Sequence, residues 1–425
     1  MALLRWRRCV ALLLLLVGGA ASEKVDLRVC SIFNLKHDAL ELMWHGVEYW
    51  QTLGVPVESL NYILASNQAH HLVLEVSDRL RAMGVPSSNV FVQESAFSVS
   101  RQYEWFRNCT DEAFRRQPLK NESVAWTSWM DADELPVWRS DRTGVKFSEM
   151  LGHLDDDGIE IYAGVMVDRA SATGALVPVE YDGGLAENFD NGDNHKSLFE
   201  QFPVRCSLTN DVLIGASTKA IAFSAGCLDD STPGCQLTPA HDGAHHLDNF
   251  MGFKCEPRRR WGELAHFKWT DDVLTKLCWR TRKFAFNNQN NFNLTSALAP
   301  PGPTSDETVF WHRESENMMH YLLQNDMRIG VDSSLCSREL PGGDYVRKGD
   351  GQIFDVRDVS NYVGLPRWQQ DGVPCENHKS NRNKQRRASI IEIGGDDPDD
   401  SRQIVDEDTA LQNFLKVCRL EKFAG

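Results

Sequence analysis

Between Val25 and Met130 the spacing of apolar residues switches repeatedly between the habit of a strand and the habit of a helix. Four short runs rich in β-branched and aromatic residues predict strands: VDLRVCSIF from Val25, SLNYILAS from Ser59, NVFVQE from Asn89 and SVAWTSWM from Ser123. Between them lie amphipathic stretches. In HDALELMWHGVEYWQTLG the residues Ala39, Leu40, Met43, Val47 and Trp50 fall on one helical stripe, and Gly54 stops it. AHHLVLEVSDRLRAMG is a second helix, closed by Gly84, and SVSRQYEWFRNCTDEAFRR is a third. Strand and helix alternating in this way predict a parallel α/β sheet, which binds its ligands beyond the carboxyl ends of its strands.

After Met130 the pattern is less regular. FSEMLGHL reads as a helix, IEIYAGVMV as a strand, and VRCSLTNDVLIGASTKAIAFSAG as short strands joined by turns. GELAHFKW is a strand that leads into a helix capped by Thr270 or Asp271, and a further helix spans about Glu307 to Asn325 after a Pro-rich loop. From Glu376 to Asp408 a basic run gives way to an acidic one with few aromatics, the composition of a linker, before a short amphipathic segment.

Composition narrows the class. With 42% hydrophobic and 25% charged residues, the 425-residue chain has ample material for a core. A formal net charge of −15 argues against a nucleic-acid surface. The first residues, MALLRWRRCVALLLLLVGGAASE, combine Arg5, Arg7 and Arg8 with a short apolar core and small residues at Ala20 to Ser22. That is a signal peptide rather than a span, with an uncleaved anchor as the alternative, and no later segment is apolar enough to cross a bilayer. Of eleven cysteines, Cys9 leaves with the signal and an even number remains. Without paired C-x-x-C knuckles, these predict disulfides. Sequons at Asn108, Asn121 and Asn293 agree with synthesis in the lumen of the secretory pathway (ER or Golgi) or secretion.

The chemistry concentrates where the fourth strand ends, in AWTSWMDADELPVW. On an extended segment Asp131 and Asp133 point to the same side, and two hard carboxylates suit Mn²⁺ or Mg²⁺ with positions left for phosphates. An ion there would offset the charge of a diphosphate leaving group, the requirement of transfer from a nucleotide-sugar. The chain resembles the GT-A glycosyltransferases of the family 2-like group, near the family 92 branch. The likeness is carried by the first strand ending at Asn34, the helix with Glu41 and His45, SWMDADELP, STKAIAF around Lys219, GAHHL around His245 and LAHFKWTDDVLTKL around His266.

That resemblance implies a GT-A-like α/β fold, with a Rossmann-like nucleotide half fused to an acceptor half in one domain. Its boundaries are a signal at 1–22, the nucleotide half at 23–150, the acceptor half at 151–345 and a C-terminal extension at 346–425. It implies an inverting transferase that moves a sugar from a nucleotide-sugar donor to a glycan or glycoprotein acceptor. Asn34, Ser66, Asn67, Asp131 and Lys219 would serve the donor, and Asp131, Asp133 and His266 the metal. Where the family group carries an Asp/Asn-x-Ser step, this chain has Ser66 and Asn67. An inverting reaction also needs a carboxylate base, for which Asp242 and Asp248 are candidates by position. Two competing readings follow from other residues. His241 and His245, with His246 beside them, could ligate zinc in a hydrolase, although Gly243 and the preceding TPA favour a loop. Twelve tryptophans could stack on sugars in a carbohydrate-binding protein without catalysis.

Overall fold

The computed structural model describes residues 25–36, 38–66, 70–94, 99–119, 123–138, 145–182, 196–213, 218–225, 259–278, 307–333, 335–337, 345–347 and 353–355. The alternating half folds as its pattern predicts: β1 (Val25–Asn34), α1 (Leu40–Thr52), β2 (Leu60–Ala65), α2 (His70–Ala82), β3 (Val90–Gln93), α3 (Val99–Arg116) and β4 (Val124–Asp131). α1 and α2 end where Gly54 and Gly84 adopt φ of 81° and 91°, a conformation that side-chain-bearing residues resist.

The strands β3, β2, β1 and β4 lie side by side and parallel. β8 (Thr218–Ser224) then runs antiparallel between β4 and β6 (Ile161–Ala170). The other edge of β6 pairs in parallel with β9 (Arg259–His266), which carries the short antiparallel β5 (Glu134–Val137). Beyond β8, β6 also pairs with β7 (Val204–Cys206), and β7 pairs with β10 (Cys336–Ser337). The result is a mixed ten-stranded sheet in an α/β fold. A separate hairpin joins β11 (Tyr345–Arg347) to β12 (Ile353–Asp355).

Side chains alternate across the sheet and so feed two cores. Val25, Leu27 and Val29 of β1 face one side, packed with Met43, Val47 and Trp50 of α1, Val76 and Leu80 of α2, and Phe147 and Leu151 of α4 (Phe147–Asp156). Cys30 and Ile32 face the other, against Trp105, Phe106 and Cys109 of α3. Each such fully buried large side chain contributes about 1.5–3 kcal/mol. A third cluster joins β7 to a helical segment at 272–278 and to α7 (Glu307–Gln324); α5 (Leu198–Gln201) and α6 (Leu208–Asp211) are single turns flanking β7.

Three expectations change. Of GELAHFKW only Gly262 to His266 is strand, the end of one that begins at Arg259, and Phe267 to Trp269 lie beyond it. β5, Glu134–Val137, is a strand to which the sequence pattern assigns no element, because it forms only where β9 is there to pair with it. The extended geometry assumed for Asp131 and Asp133 does not hold: β4 stops at Asp131, and the chain turns through Ala132 and Asp133 before β5. Cys30–Cys109 and Cys206–Cys336 are disulfides, as the even cysteine count predicts, and Cys278 is disulfide-bonded as well. Among the described residues, no helix is long and apolar enough to cross a membrane.

Candidate functional site

The direction of the strands gathers the chemistry at one end of the sheet. Asn34 and Asp131 end β1 and β4, Ser66 follows β2, and His266 ends β9. Because β8 runs the opposite way, Lys219 near its start reaches the same end. Residues more than two hundred positions apart are thus brought to one rim.

The turn after β4 sends its carboxylates in two directions. Lys219 is completely buried and donates to Asp131 Oδ2 at 2.9 Å and to Glu134 Oε2. Burial alone would lower the Lys219 pKa, but Asp131 and Glu134 outweigh it and hold the ammonium charged. Gln102 of α3 donates to Asp131 Oδ1, and the Asp131 backbone N–H donates to Glu134 Oε2 at 3.2 Å. Asp131 is therefore engaged on both oxygens, and Lys219 is spent inside the protein as the cation that balances the D-x-D-E turn.

Asp133 goes the other way. Its Oδ2 lies 3.7 Å from His266 Nε2. The opposite nitrogen, His266 Nδ1, is 2.9 Å from Asp168 Oδ1. Asp168 is a fully buried carboxylate on β6 and the register partner of His266. It is itself fixed by the Thr209 hydroxyl at 2.7 Å, the Thr209 N–H at 2.5 Å and Trp269 Nε1 at 3.1 Å. With Nδ1 held against a carboxylate, Nε2 is presented toward Asp133. Burial pushes the Asp133 carboxyl up, but His266, Lys276 and Lys268 outweigh burial and the adjacent Asp131, leaving it below the usual range. Burial pushes His266 down, yet Asp133 and Asp168 prevail and raise it.

A second group of charges borders this pair. Lys276 donates to Asp38 at 2.8 Å and feels both Asp133 and Asp272. Asp38 Oδ2 accepts the Asn34 N–H at 2.7 Å, while Asn34 Oδ1 accepts the Lys36 N–H. Asn34 thereby shapes the turn that carries Asp38. Ser66 donates to the Gln93 carbonyl at 3.3 Å and ties the ends of β2 and β3 together. Asp272 Oδ2 is buried without a hydrogen-bond partner, and its pKa is pushed up to about 6 by burial, against the pull of Lys276.

Among the sequence candidates, the fold brings Asp131, Asp133, Lys219 and His266 together, with Asn34 joined to them through Asp38 and Lys276. Asn67, Asp242, Asp248 and the histidines His241, His245 and His246 lie outside the described residues. Asp168, Lys276, Asp38 and Gln102 were not anticipated. Asp168 alone left a signal, as a carboxylate that follows seven uncharged, mostly apolar residues and precedes Arg169 near the end of its strand. No group of three or more His, Cys, Asp or Glu side chains stands ready to hold a metal among the described residues. Asp133 and His266 Nε2 form a two-donor set, which suits an ion that completes its shell with water and phosphate oxygens. No known protein family's sequence profile matches the chain, and no curated protein matches it.

Proposed function

We propose that the protein is a metal-dependent glycosyltransferase that uses a nucleotide-sugar donor and a glycan or glycoprotein acceptor, with inversion at the sugar. The observation that carries the reading is the line Asp168–His266–Asp133 at the carboxyl end of the sheet. A histidine held by a carboxylate through one nitrogen and aimed at a second carboxylate through the other is the arrangement found around protein-bound metals. The fold supports it in a coarser way. A parallel set of strands with helices on both faces offers its carboxyl ends to a nucleotide, and β8, β6 and β9 extend the same rim toward an acceptor. A mixed α/β sheet of this kind is compatible with the two-half, GT-A-like architecture that the resemblance implies.

Asp133 and His266 would hold Mn²⁺ in preference to Mg²⁺, since imidazole suits the softer ion. The ion would supply positive charge against the diphosphate leaving group. The chain's own residues do the positioning. Lys219 holds Asp131 and Glu134 so that the turn presents Asp133, and Asp168 sets the ring of His266. Asn34 and Ser66 shape the strand ends on which the nucleotide would rest. A base for the acceptor hydroxyl belongs to Asp242 or Asp248 in this reading.

Calorimetric titration with a panel of nucleotide-sugars, with and without Mn²⁺, tests it. A transferase binds a donor only with the ion, and Asp133→Ala abolishes that binding while the variant still folds and melts cooperatively without metal. A protein that binds no donor under either condition, or an Asp133→Ala variant that keeps full Mn²⁺-dependent binding, sinks the proposal.

A further inference from the structure

The site does not use the sequon Asn108-Cys109-Thr110, whose three residues all lie among the described ones, and the fold treats them in three different ways. It lies within α3, where residues two apart point to opposite sides of the helix. Asn108 is exposed. Cys109 is disulfide-bonded to Cys30 of β1. Thr110 is 1% exposed, and its hydroxyl oxygen accepts the Trp129 Nε1–H at 2.9 Å and lies 3.1 Å from the Thr127 hydroxyl. It also lies 3.7 Å from Cys30 Sγ, one of the two sulfurs of the bridge.

Glycosylation of an N-x-S/T triplet needs the asparagine amide and the hydroxyl two residues later presented together to the transferase. The folded helix cannot do this: it shows the amide to solvent and keeps the hydroxyl beneath the Cys30–Cys109 bridge. We infer that Asn108 is an N-glycosylation site open only before folding, and that its occupancy is set by a race between sugar transfer and closure of the Cys30–Cys109 disulfide. In the transfer, the Asn108 amide nitrogen bonds to C1 of an oligosaccharide. The bond from C1 to a polyprenyl diphosphate breaks, the lipid diphosphate leaves, and the amide loses a proton. In the competing step the two thiols lose two protons and two electrons to a disulfide oxidant of the lumen, and the bridge draws α3 onto β1. Whichever comes first decides the product. An exposed Asn108 on the finished helix carries a glycan without clash, so both products fold. The inference rests on lumenal synthesis and is independent of the transferase reading.

The full chain is expressed through a eukaryotic secretory pathway, and Asn108 occupancy is measured in whole-cell extract by peptide mass spectrometry after enzymatic deglycosylation in heavy-oxygen water. Wild type is expected to be partly occupied. Cys30→Ala, which cannot close the bridge, raises the occupied fraction at least roughly twofold, as does brief dithiothreitol treatment of cells making the wild type. Thr110→Ala abolishes the signal. Reading the extract rather than the secreted protein keeps the result independent of whether Cys30→Ala folds. In microsomes, the oxidised folded chain is refused and the reduced, unfolded chain is accepted. Equal occupancy in wild type and Cys30→Ala, acceptance of a glycan by the oxidised folded chain, or no glycan at Asn108 in any arm overturns the inference.

Discussion

At the scale of single residues, the turn Asp131 to Glu134 divides its carboxylates between a fixed cation and an open position. Lys219 is fully buried between Asp131 and Glu134. Removing its charge strands two carboxylates, so Lys219→Met should cost about 3–5 kcal/mol in urea unfolding. Adding Glu134→Leu to that variant should restore part of the loss, because one of the two unpaired charges, the fully buried one, goes with it. If Lys219→Met alone is neutral, the pair is not the keystone of the turn. Asp168 acts through His266 rather than on any ligand. If Asp133 and His266 hold Mn²⁺ as proposed, Asp168→Asn should weaken its binding about 10–100-fold by releasing the imidazole from its orientation. The check is Mn²⁺ titration of folded protein, with His266→Ala as the limit; an unchanged affinity would make Asp168 purely structural.

Between elements, the contact of β6 with β9 is closer than side chains usually permit. Gly164 and Gly262 are register partners, and a Cβ at Gly262 would come within 1.9 Å of the Tyr162 hydroxyl. Gly262→Val should therefore destabilise by about 1–3 kcal/mol or more, and because β9 ends at His266 it should also loosen the Asp133–His266 pair, and with it the proposed Mn²⁺ binding. Thermal melting and Mn²⁺ titration read the two effects separately. The helical segment at 272–278 makes a different kind of contact. Asp272 faces Asp38 and Glu41 from the β1–α1 region, with Asp271 and Lys276 on its own segment, and titrates near pH 6. Its raised pKa means that the folded state binds the proton more tightly than the unfolded chain. This contribution to stability is full below the ordinary aspartate range and is lost as pH rises through 6. Asp272→Asn should then be more stable than wild type at pH 7, and the advantage should vanish near about pH 4. Melting temperatures across that range decide it, and a constant offset would remove the titration from the account.

For the whole molecule, the two disulfides with both cysteines among the described residues do different work. Cys30–Cys109 joins residues 79 apart and clamps α3 to the first strand, while Cys206–Cys336 joins residues 130 apart at the far edge of the sheet. Loops of that length correspond to about 4–5 kcal/mol each in the chain-entropy account. Reduction should accordingly lower the melting temperature of the oxidised protein by several degrees or more. Cys206→Ala with Cys336→Ala isolates the second bridge, and an unchanged melting temperature for that double variant would mean that β7 and β10 are held by packing alone.

The alternation of strands and helices, the glycine stops, the presence of disulfides (though not which cysteines pair) and the D-x-D-E at a strand end were legible in the sequence. Each is a property of consecutive residues: a period, a terminator, a count or a motif. How the site is wired was not legible. Local pattern placed Asp131 and Asp133 on one side of a strand, whereas the turn separates them, because the direction of a turn depends on the strand that waits to pair with it. β5 exists only because β9 is beside it, and β9 brings His266 to Asp133 and, through its register with β6, to Asp168. Lys219 looked like a donor-binding residue until the antiparallel course of β8 carried it beneath the turn. Those partners come from distant segments, and only the order and register of the strands in the sheet decide which of them meet.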